Sequence, residues 1–457
     1  MSGLRVNCVH GIEALQRLAS DLDALNGSAR RHNPFLSASY LRCYALHSEY
    51  QSRTAQQRLY LIKERSGAAS ERLIGIAPMR RSLENVGLSL RSARLTLWAP
   101  LDTDRPGILS APEDEARVAK ALVDYLCTRE RDWGLLEFVG QLPETPLYEA
   151  LYAVTDPAYR TREIEVEPFT EISIRWPDLA EYFRSLAKKM RSNISRQARR
   201  LFASGCVEIV LAEGAAAASA WFDAYCDLDG RSWKRGTRSS IERDLRRVQF
   251  YRQIAAGQGG LDPSFIGIVL DGVLVAGLMI GSNAKASPLQ HGAWCLEMAY
   301  DRSRADLGPG QLLLLVAMGE AIRRGDLFLN YMQNFAYYKH RWGAELIPVV
   351  NVQVLRLASL HNVRALLGEW RNKLRELCAA KAASELSLDT DAGEATPAPE
   401  TADLALAPAN PWRARELTER ALAYQGPGIQ RLDREQASRY LPFDIERYDQ
   451  ADGVRTK

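Results

Sequence analysis

The sequence predicts an α/β protein with mixed sheets, built as two successive lobes that are followed by a disordered linker and a C-terminal tail. Apolar, β-branched runs alternate with helical patterns, and the same order of elements occurs twice before about residue 380. There the composition changes sharply to alanine, threonine, proline and acidic residues. We therefore divide the chain into residues 1–165, 166–378, 379–410 and 411–457.

The composition is that of an ordinary folded protein. The 457 residues are 46% hydrophobic and 25% charged, with a net charge of +3, which argues against a collagenous repeat or bulk binding to nucleic acid. The seven cysteines are scattered and never spaced as C-x-x-C, so neither a disulfide framework nor a metal site is expected. The N-terminus lacks the pattern of a secretory signal, and no apolar run has the length of a membrane span. We expect a cytoplasmic protein without stable membrane insertion.

The first lobe begins with two strand patterns, Arg58–Lys63 and Arg72–Met79. A third strand, Arg94–Ala99, is followed by a helical pattern over Ala116–Cys127 and by the strand Leu135–Val139. This alternation of strands with a helix is typical of a sheet that helices cover.

The second lobe repeats this order. Two β-rich runs, Ser264–Leu270 and Val273–Ile280, are joined by Asp271-Gly272, the strongest short hairpin signal. The elements that follow are the strand Gln290–Asp301, the apolar helix Gln311–Arg324, and the strands Leu327–Gln333 and Val349–Leu355. Gly325 stands where a glycine commonly ends a helix.

A basic amphipathic helix is predicted over Phe183–Leu201. Its apolar residues recur at steps of three and four and predict one buried face; they are Phe183, Leu186, Met190, Ile194, Ala198 and Leu201. The other face is basic, and no acid lies between Arg184 and Val207. Lys188 and Arg191 on that face suit the phosphates of a ligand, although a solvated surface would have the same pattern.

The segment 379–410 is too poor in apolar residues to offset its ordering entropy, so it is interpreted as a disordered linker. The tail, residues 411–457, contains a short helical pattern over Arg413–Leu422 and a Gly-Pro-Gly turn. The sequence leaves open whether the tail docks on the body or binds a protein partner.

Gly308-Pro309-Gly310 opens the apolar helix of the second lobe. Unpaired N–H groups and the positive end of the helix dipole suit a phosphate at such a turn, and Gln311 adds no opposing charge. A plain turn between strand and helix is the alternative. At the equivalent place in the first lobe, Ser110-Ala111-Pro112-Glu113 reads as a capping box followed by acids. We therefore assign donor binding to the second lobe and treat the first lobe as a wall of the acceptor groove.

The second half contains a series of short motifs in a characteristic order. They are Lys188-Lys189-Met190-Arg191-Ser192-Asn193, Ser232-Trp233, Leu270-Asp271-Gly272, Tyr300-Asp301, Gly308-Pro309-Gly310 and Tyr338-Lys339. Over roughly residues 165 to 375 this series resembles the BioF2-like or CelD-like acetyltransferase family of the GNAT superfamily. The paired lobes also resemble the FemAB-type aminoacyl transferases.

The resemblance implies two tandem GNAT-like lobes and acetyl-CoA or another acyl-CoA as co-substrate. The chain departs from the GNAT pyrophosphate motif, because Ala305 stands where that motif has Gln or Arg. Arg304 lies one position early and is included with Gly308, Pro309, Gly310 and Gln311 as a candidate donor-binding residue. Leu329-Asn330-Tyr331 also lacks the acid that the family tends to have in this strand.

Acyl transfer to an amine needs a base for the amine and an acid for the leaving thiolate. Period-two alternation over Gln290–Asp301 places Glu297 and Asp301 on one strand face, with Glu297 as a candidate base and Asp301 as a group that orients the amine. The resemblance points to Tyr338 as the general acid. Lys339 and Asn334 are expected to contact the substrate, and Trp233 to line the acceptor groove.

These expectations describe an N-acyltransferase acting on an amine of an amino sugar or of a glycan- or lipid-linked precursor in exopolysaccharide or cell-envelope synthesis. An enzyme alternative is a FemAB-like transferase that takes its aminoacyl group from tRNA. A non-enzymatic alternative is a GNAT-fold scaffold protein that the tail tethers to a partner.

Overall fold

The computed structural model describes residues 3–49, 55–66, 70–87, 90–98, 103–237, 239–283, 290–333, 337–371, 375 and 411–445. The predicted linker, residues 379–410, lies outside the described residues. The described part has the predicted fold class, with two mixed sheets and covering helices.

The strands are, in chain order, β1 Leu4–His10, β2 Gln56–Ser66, β3 Ser70–Gly87, β4 Leu90–Leu97, β5 Leu109–Ser110, β6 Leu135–Gln141, β7 Tyr159–Glu165, β8 Phe169–Ser173, β9 Val207–Glu213, β10 Asp262–Leu270, β11 Val273–Ser282, β12 Ala293–Tyr300, β13 Phe328–Gln333, β14 Glu345–Ile347, β15 Val350–Arg356 and β16 Ile429–Leu432. The helices are α1 Gly11–Arg17, α2 Ala19–Ser28, α3 Ala38–Tyr44, α4 Glu115–Thr128, α5 Pro146–Tyr152, α6 Leu179–Ser185, α7 Lys188–Ala203, α8 Ala215–Arg231, α9 Leu245–Ala255, α10 Pro309–Arg324, α11 Tyr337–Arg341, α12 over residues 360–371, α13 Pro411–Leu422 and α14 Arg434–Tyr440.

The first sheet has the order β1-β2-β3-β4-β6-β15-β7, with β5 paired to β3, and the second has the order β14-β8-β13-β12-β11-β10-β9-β16. Apart from β5 and β16, the two orders correspond strand by strand. We count the strands from β1 in the first sheet and from β9 in the second. The sixth strand of the first sheet is then β15, which follows β14 of the second sheet in the chain, and the sixth strand of the second sheet is β8, which follows β7 of the first sheet. The lobes therefore exchange a strand. In particular β15, which lies within the predicted segment 166–378, pairs in the first sheet.

The second sheet is covered on both faces. On one face α6, α7 and α10 pack into a core with Leu211, Ile266 and Leu278. On the other face α8 and α9 share a core with Phe35 and Tyr40 of the first lobe, so the lobes are joined through a continuous apolar interior. Among the helices described, none combines the length and the apolar character that crossing a membrane requires.

The predicted turns agree with the backbone. Asp271 and Gly272 both have positive φ, 50° and 76°, as a two-residue hairpin of this type requires. Gly325 ends α10 in the left-handed conformation, at φ 74°.

The single helix predicted over Phe183–Leu201 is wrong, since the chain forms α6 and α7 with a break between them. Leu186 is extended, with φ −67° and ψ 152°, and α7 begins at Lys188. The apolar face is nevertheless as predicted, because the side chains of Phe183, Leu186 and Met190 are buried in the same core as the rest of the stripe. Apolar periodicity fixes which side is buried but does not reveal a break whose residues keep that periodicity.

The tail docks on the second lobe. β16 pairs antiparallel with β9 at the sheet edge, and the hydroxyl of Tyr440 in α14 donates to Oε1 of Glu320 in α10 at 3.0 Å. The backbone carbonyl of Asp444 accepts a hydrogen bond from Arg199 Nε at 2.8 Å. Docking on the body is thus observed for residues 411–445, and binding of a protein partner by the tail stays a prediction.

Candidate active site

The site begins where two parallel strands separate. β12 and β13 pair at Ala293 with Leu329 and at Trp294 with Asn330, and no further pair between them occurs in the described residues. β12 continues to Tyr300, so a wedge opens between the strands beyond Trp294. Main-chain N–H and C=O groups along such a wedge can hydrogen-bond to an extended ligand.

A β-bulge changes the direction of side chains along β12. Cys295 pairs with Ile280 and Glu297 pairs with Met279, which leaves Leu296 as an extra residue. Cys295 therefore packs against the core beneath α10, whereas Glu297 lies on the opposite face with α8 and α9. Unbroken alternation would put Glu297 on the same face as Cys295, which the bulge prevents. Glu297 and Asp301 both lie after the bulge, so their predicted common face is not broken by it.

The start of α10 is formed by a tight turn. Gly308 is its N-cap in the left-handed conformation, with φ 64°, and a Cβ at this position would lie 2.5 Å from the side chain of Gln197. The N–H groups of Gln311 and Leu312 donate to Gly308 O at 3.0 and 3.4 Å, and Pro309 has no N–H. The Gly310 N–H has no acceptor among the described residues. With no acid in its first turn, this helix start is suited to an anion.

A cavity of about 450 Å³ joins the wedge to the helix start. Its lining residues are Met190, Gln197, Trp233, Met298, Tyr300, Ala305, Gly308, Pro309, Gly310, Gln311, Leu314, Arg341 and Trp342. Four of the five predicted donor-binding residues thus border one cavity, together with Trp233, which was predicted for the acceptor groove. Arg341 and Trp342, in the segment that follows β13, also line the cavity.

Asp301 and Arg304 lie beside this cavity without lining it. Asp301 caps the 3₁₀ turn Arg302–Leu307 by accepting from the Ser303 N–H at 2.9 Å, and its carboxylate forms an ion pair with Arg231. Arg304 is exposed on the same turn. Their predicted roles toward amine and donor stay predictions.

Glu297 is held in a buried charged network. One carboxylate oxygen accepts from Arg247 Nη2 at 2.7 Å, and the other contacts Lys234 Nζ. Lys234 also lies 3.7 Å from Asp229, whose Oδ2 accepts from the Ser240 hydroxyl at 2.5 Å. The network fixes the α8 to α9 connection, which carries Trp233, against β12. The base role of Glu297 stays a prediction.

Lys339 is directed inward. Its Nζ donates to Tyr331 O at 2.8 Å, and it does not line the cavity. Burial lowers the pKa of Lys339 to about 8, although the neighbouring Cys295 and Glu167 act in the opposite direction. The predicted contact of Lys339 with substrate stays a prediction.

Replacing Lys339 with methionine is expected to alter how stability depends on pH. The folded-state pKa of about 8 lies below the ordinary value of 10.5, so between these values the unfolded chain binds the additional proton. The stability of the wild-type protein then rises with pH, by up to about 1.4 kcal/mol per unit, and the variant lacks this rise. Unfolding in guanidinium chloride from pH 7 to pH 10 measures the difference, and parallel curves would contradict a lowered pKa.

Basic side chains of α7 form hydrogen bonds and ion pairs with other parts of the protein. Arg191 Nη1 donates to Arg184 O at 2.5 Å and to Leu186 O at 2.7 Å, so it satisfies carbonyls at the end of α6. Arg200 lies 3.4 Å from Asp306. Lys188 is exposed in the first turn of α7.

Arg191→Gln and Lys188→Gln are expected to have different effects. Arg191→Gln should destabilise the protein by about 1–2 kcal/mol, because two carbonyls lose a charged donor, and should leave donor affinity unchanged. Lys188→Gln should change stability by less than about 0.5 kcal/mol. Thermal unfolding and ligand titration of both variants separate the two roles. Unchanged stability with weakened donor binding in Arg191→Gln would assign Arg191 to the ligand instead.

The equivalent helix start in the first lobe is acidic. α4 begins at Glu115 with Asp114 as N-cap, and Asp114 Oδ1 accepts from Arg117 Nη1 at 2.8 Å. The predicted capping box at Ser110 is wrong, because Ser110 belongs to β5 and the helix starts further on. Carboxylates still occupy this helix end, as expected for a lobe that does not bind the donor.

The remaining predicted residues, Asn334 and Tyr338, come shortly before the cavity-lining Arg341 in the chain. Tyr338 belongs to α11, one turn before the cavity-lining Arg341 and Trp342, and its side chain is outside what the structure describes. Asn334 lies outside the described residues. The acid role of Tyr338 and the substrate contact of Asn334 stay predictions.

Sequence reasoning missed a buried charged cluster between the lobes, which we call the interlobe cluster. It consists of Arg31, Asp104 and Arg105 from the first lobe and Glu171, Trp294 and Asn330 from the second. Glu171 Oε2 accepts from Arg31 and Arg105 at 2.7 Å each and from Asn330 at 3.0 Å. Burial alone would raise the pKa of Glu171, but the two guanidinium groups hold it below its usual value.

One signal for this cluster was present in the sequence. Asn330 is a polar residue in a largely apolar strand, within the stretch Leu329-Asn330-Tyr331 where the resemblance predicted an acid. The structure supplies acids from elsewhere, because the Asn330 side chain donates to Glu171 and lies 3.3 Å from Asp104. Its partners are distant in sequence, so no local pattern identifies them.

The acetyltransferase (GNAT) domain family matches residues 188–340. This match lies within the second lobe and agrees with the predicted acyltransferase class, which is confirmed. The finer resemblance to the BioF2-like or CelD-like branch stays a prediction.

Several solved structures are similar to this chain. FemX is 11% identical, with 76% of this chain and 96% of FemX covered and a TM-score of 0.49. A tandem GNAT protein from the clavulanic acid biosynthesis pathway is 14% identical, with 78% and 99% covered and a TM-score of 0.42. A conserved protein of unknown function from Bacteroides thetaiotaomicron VPI-5482 is 12% identical, with 76% and 100% covered and a TM-score of 0.46. The chain has no match among curated proteins.

Proposed function

We propose that this protein is an N-acyltransferase that moves an acyl group from acyl-CoA to an amine. The observation that carries the proposal is the single cavity in which an acid-free helix start meets the wedge between β12 and β13. A donor with a phosphorylated end and an extended amide-containing arm suits these two features together.

The donor would lie in the cavity in a definite order. Its pyrophosphate would accept from the Gly310 N–H at the positive end of α10. The two amides of the pantetheine arm would hydrogen-bond to the backbone of β12 inside the wedge, as an added strand does. Met298 and Tyr300 supply apolar surface along this path, and the thioester would lie where the strands diverge.

The reaction is direct transfer. The neutral amine attacks the thioester carbonyl, the carbon–sulfur bond breaks, and the amide and free CoA form. A backbone N–H of β12 in the wedge would stabilise the negative charge on the carbonyl oxygen. Glu297 would remove the amine proton and Tyr338 would protonate the thiolate, while Asp301 orients the incoming amine.

The acceptor would enter beside Trp233, which is partly exposed at the rim of the cavity. We propose an amino sugar, or the amine of a glycan- or lipid-linked precursor of the cell envelope or an exopolysaccharide, as its class. A planar indole beside a polar rim is suited to a sugar ring.

Calorimetric titration of the full chain with CoA, acetyl-CoA and aminoacyl-tRNA tests the donor. We expect heat with CoA and acetyl-CoA, and a CoA species among the small molecules that copurify with the protein. Heat with aminoacyl-tRNA alone would replace acyl-CoA by the FemAB-like donor. Binding of neither donor would contradict the transferase and favour the scaffold alternative.

A further inference from the structure

The strongest unassigned feature is the outer face of α12, residues 360–371. The inner side of this helix rests on the first sheet, where Ala365 packs with Leu135 and Leu355. His361 and Asn362 are buried on the same side. The helix is therefore fixed to the protein along one side and presents the opposite side outward.

That outer side is apolar. Val363, Leu366, Leu367 and Trp370 expose 51%, 47%, 63% and 67% of their surface. Their spacing places them within an arc of about 100° on an α-helix, which is the width of a buried apolar stripe. Large apolar side chains grouped in this way on a surface mark a contact with another body rather than with water.

The charges beside the stripe are mostly basic. Arg364, Arg371 and Arg375 are exposed along this segment, and Arg364 Nη1 also donates to Asn85 O at 3.2 Å. The acid of the helix, Glu369, is also partly exposed, with 41% of its side chain accessible, but it is paired with Arg160 and Arg162 at 3.0 Å each. The outward surface of α12 thus combines an apolar stripe with a basic edge.

We propose that α12 is an interfacial helix that docks the protein on an anionic lipid bilayer. The apolar stripe, Val363, Leu366, Leu367 and Trp370, would enter the boundary between headgroups and acyl chains, and the basic edge would contact lipid phosphates. A helix with an apolar face, a tryptophan and basic flanks lies in the plane of such an interface. Charge complementarity selects the anionic surface.

The same charges disfavour a second copy of this chain as the occupant. Paired helices are aligned by salt bridges between residues that flank the apolar seam. The one acid among the described residues of α12, Glu369, is already paired with Arg160 and Arg162, so two copies would bring arginines at this flank near one another. The proposal does not depend on the transferase assignment, because it concerns a different face of the other lobe.

Flotation of the full chain with lipid vesicles tests the proposal. We expect binding to vesicles of phosphatidylcholine with about 30 mol% phosphatidylglycerol to exceed binding to phosphatidylcholine alone by about tenfold or more, and to weaken as salt rises. Leu367→Asn with Trp370→Asn should lower binding about tenfold, since the apolar contribution is lost without a change in charge. Arg371→Gln with Arg375→Gln should lower it about fivefold per charge.

A matched control is available elsewhere on the surface. Leu245 and Trp412 are each 77% exposed, so Leu245→Asn with Trp412→Asn changes the same residue types at sites away from α12 and should leave vesicle binding intact. Equal loss in both double variants would overturn the proposal, as would failure of the full chain to bind anionic vesicles. Light scattering supplies a further test, because a dimer that Trp370→Asn converts to a monomer would show that a second copy covers this face.

Discussion

Asp104→Ala is expected to destabilise the protein by about 3–5 kcal/mol, because it removes one carboxylate from a buried, charge-balanced cluster. Asp104 is 2% exposed. Its carboxylate accepts from Arg105 Nε at 2.8 Å and from the Trp294 Nε1–H at 2.8 Å. Removal leaves two guanidinium groups with one carboxylate, Glu171, and leaves the indole N–H without its acceptor. The penalty is mostly that of uncompensated buried charge rather than the loss of one attraction.

The effect should be specific to the interlobe cluster. Asp124→Ala serves as the control, because Asp124 pairs with Lys120 at 2.9 Å in an exposed i,i+4 contact, and such pairs contribute less than about 1 kcal/mol. Asp104→Asn keeps the shape of the side chain while removing its charge and should fall between the two. Guanidinium chloride unfolding at pH 7 ranks the three variants. Equal stability of Asp104→Ala and Asp124→Ala would show that the cluster does not join the lobes energetically.

Local signals in the sequence were sufficient for much of the fold. Asp271-Gly272 predicted the β10–β11 hairpin because a two-residue turn with positive φ leaves few other choices of residue. Gly308 and Gly325 predicted the ends of α10 for the same reason. Each of these signals is contained within a few residues, which is why they could be interpreted without knowledge of the tertiary structure.

The features that escaped prediction depend on residues far apart in the chain. The exchange of β8 and β15 between the lobes cannot be recognised from the sequences of these strands, because each would need the same apolar residues if it paired within its own lobe. The interlobe cluster likewise joins Arg31 to Glu171 across 140 positions. A local pattern records which residues are buried but not which distant partner satisfies them.

The bulge in β12 had the largest consequence for the candidate site. Unbroken alternation would place Glu297 on the face of Cys295, beneath α10, but the extra residue Leu296 turns Glu297 to the opposite face, toward Lys234 and Arg247. The prediction of the phosphate-binding turn needed no such register, because a helix start presents its N–H groups whatever the strand before it does. The turn at the start of α10 was therefore more predictable than the directions of the side chains on β12.

Gly310→Asp is expected to weaken acetyl-CoA binding about 100-fold or more while leaving the fold intact, a combination that tests the donor site directly. The new carboxylate would lie at the start of α10 beside the N–H proposed to bind the pyrophosphate, so it would compete for the helix end and repel the donor. A 100-fold loss corresponds to about 2.8 kcal/mol. Gly310 has no positive φ, and a Cβ there would lie 3.0 Å from the Tyr300 ring, so the backbone accepts a side chain with a small shift of that ring.

The same substitution should not destabilise the helix. An acid in the first turn interacts favourably with the dipole by about 0.3–1 kcal/mol, and glycine is the poorer helix former, so the melting temperature should be unchanged or higher. Gly310→Asn is the matched control, because asparagine has nearly the same shape without the charge and should retain most of the affinity. Calorimetry with acetyl-CoA and thermal unfolding give both quantities for each variant. Equal affinity of the aspartate variant and the wild-type protein would contradict the phosphate site even if acetyl-CoA binds, because the donor would then be held by another part of the cavity.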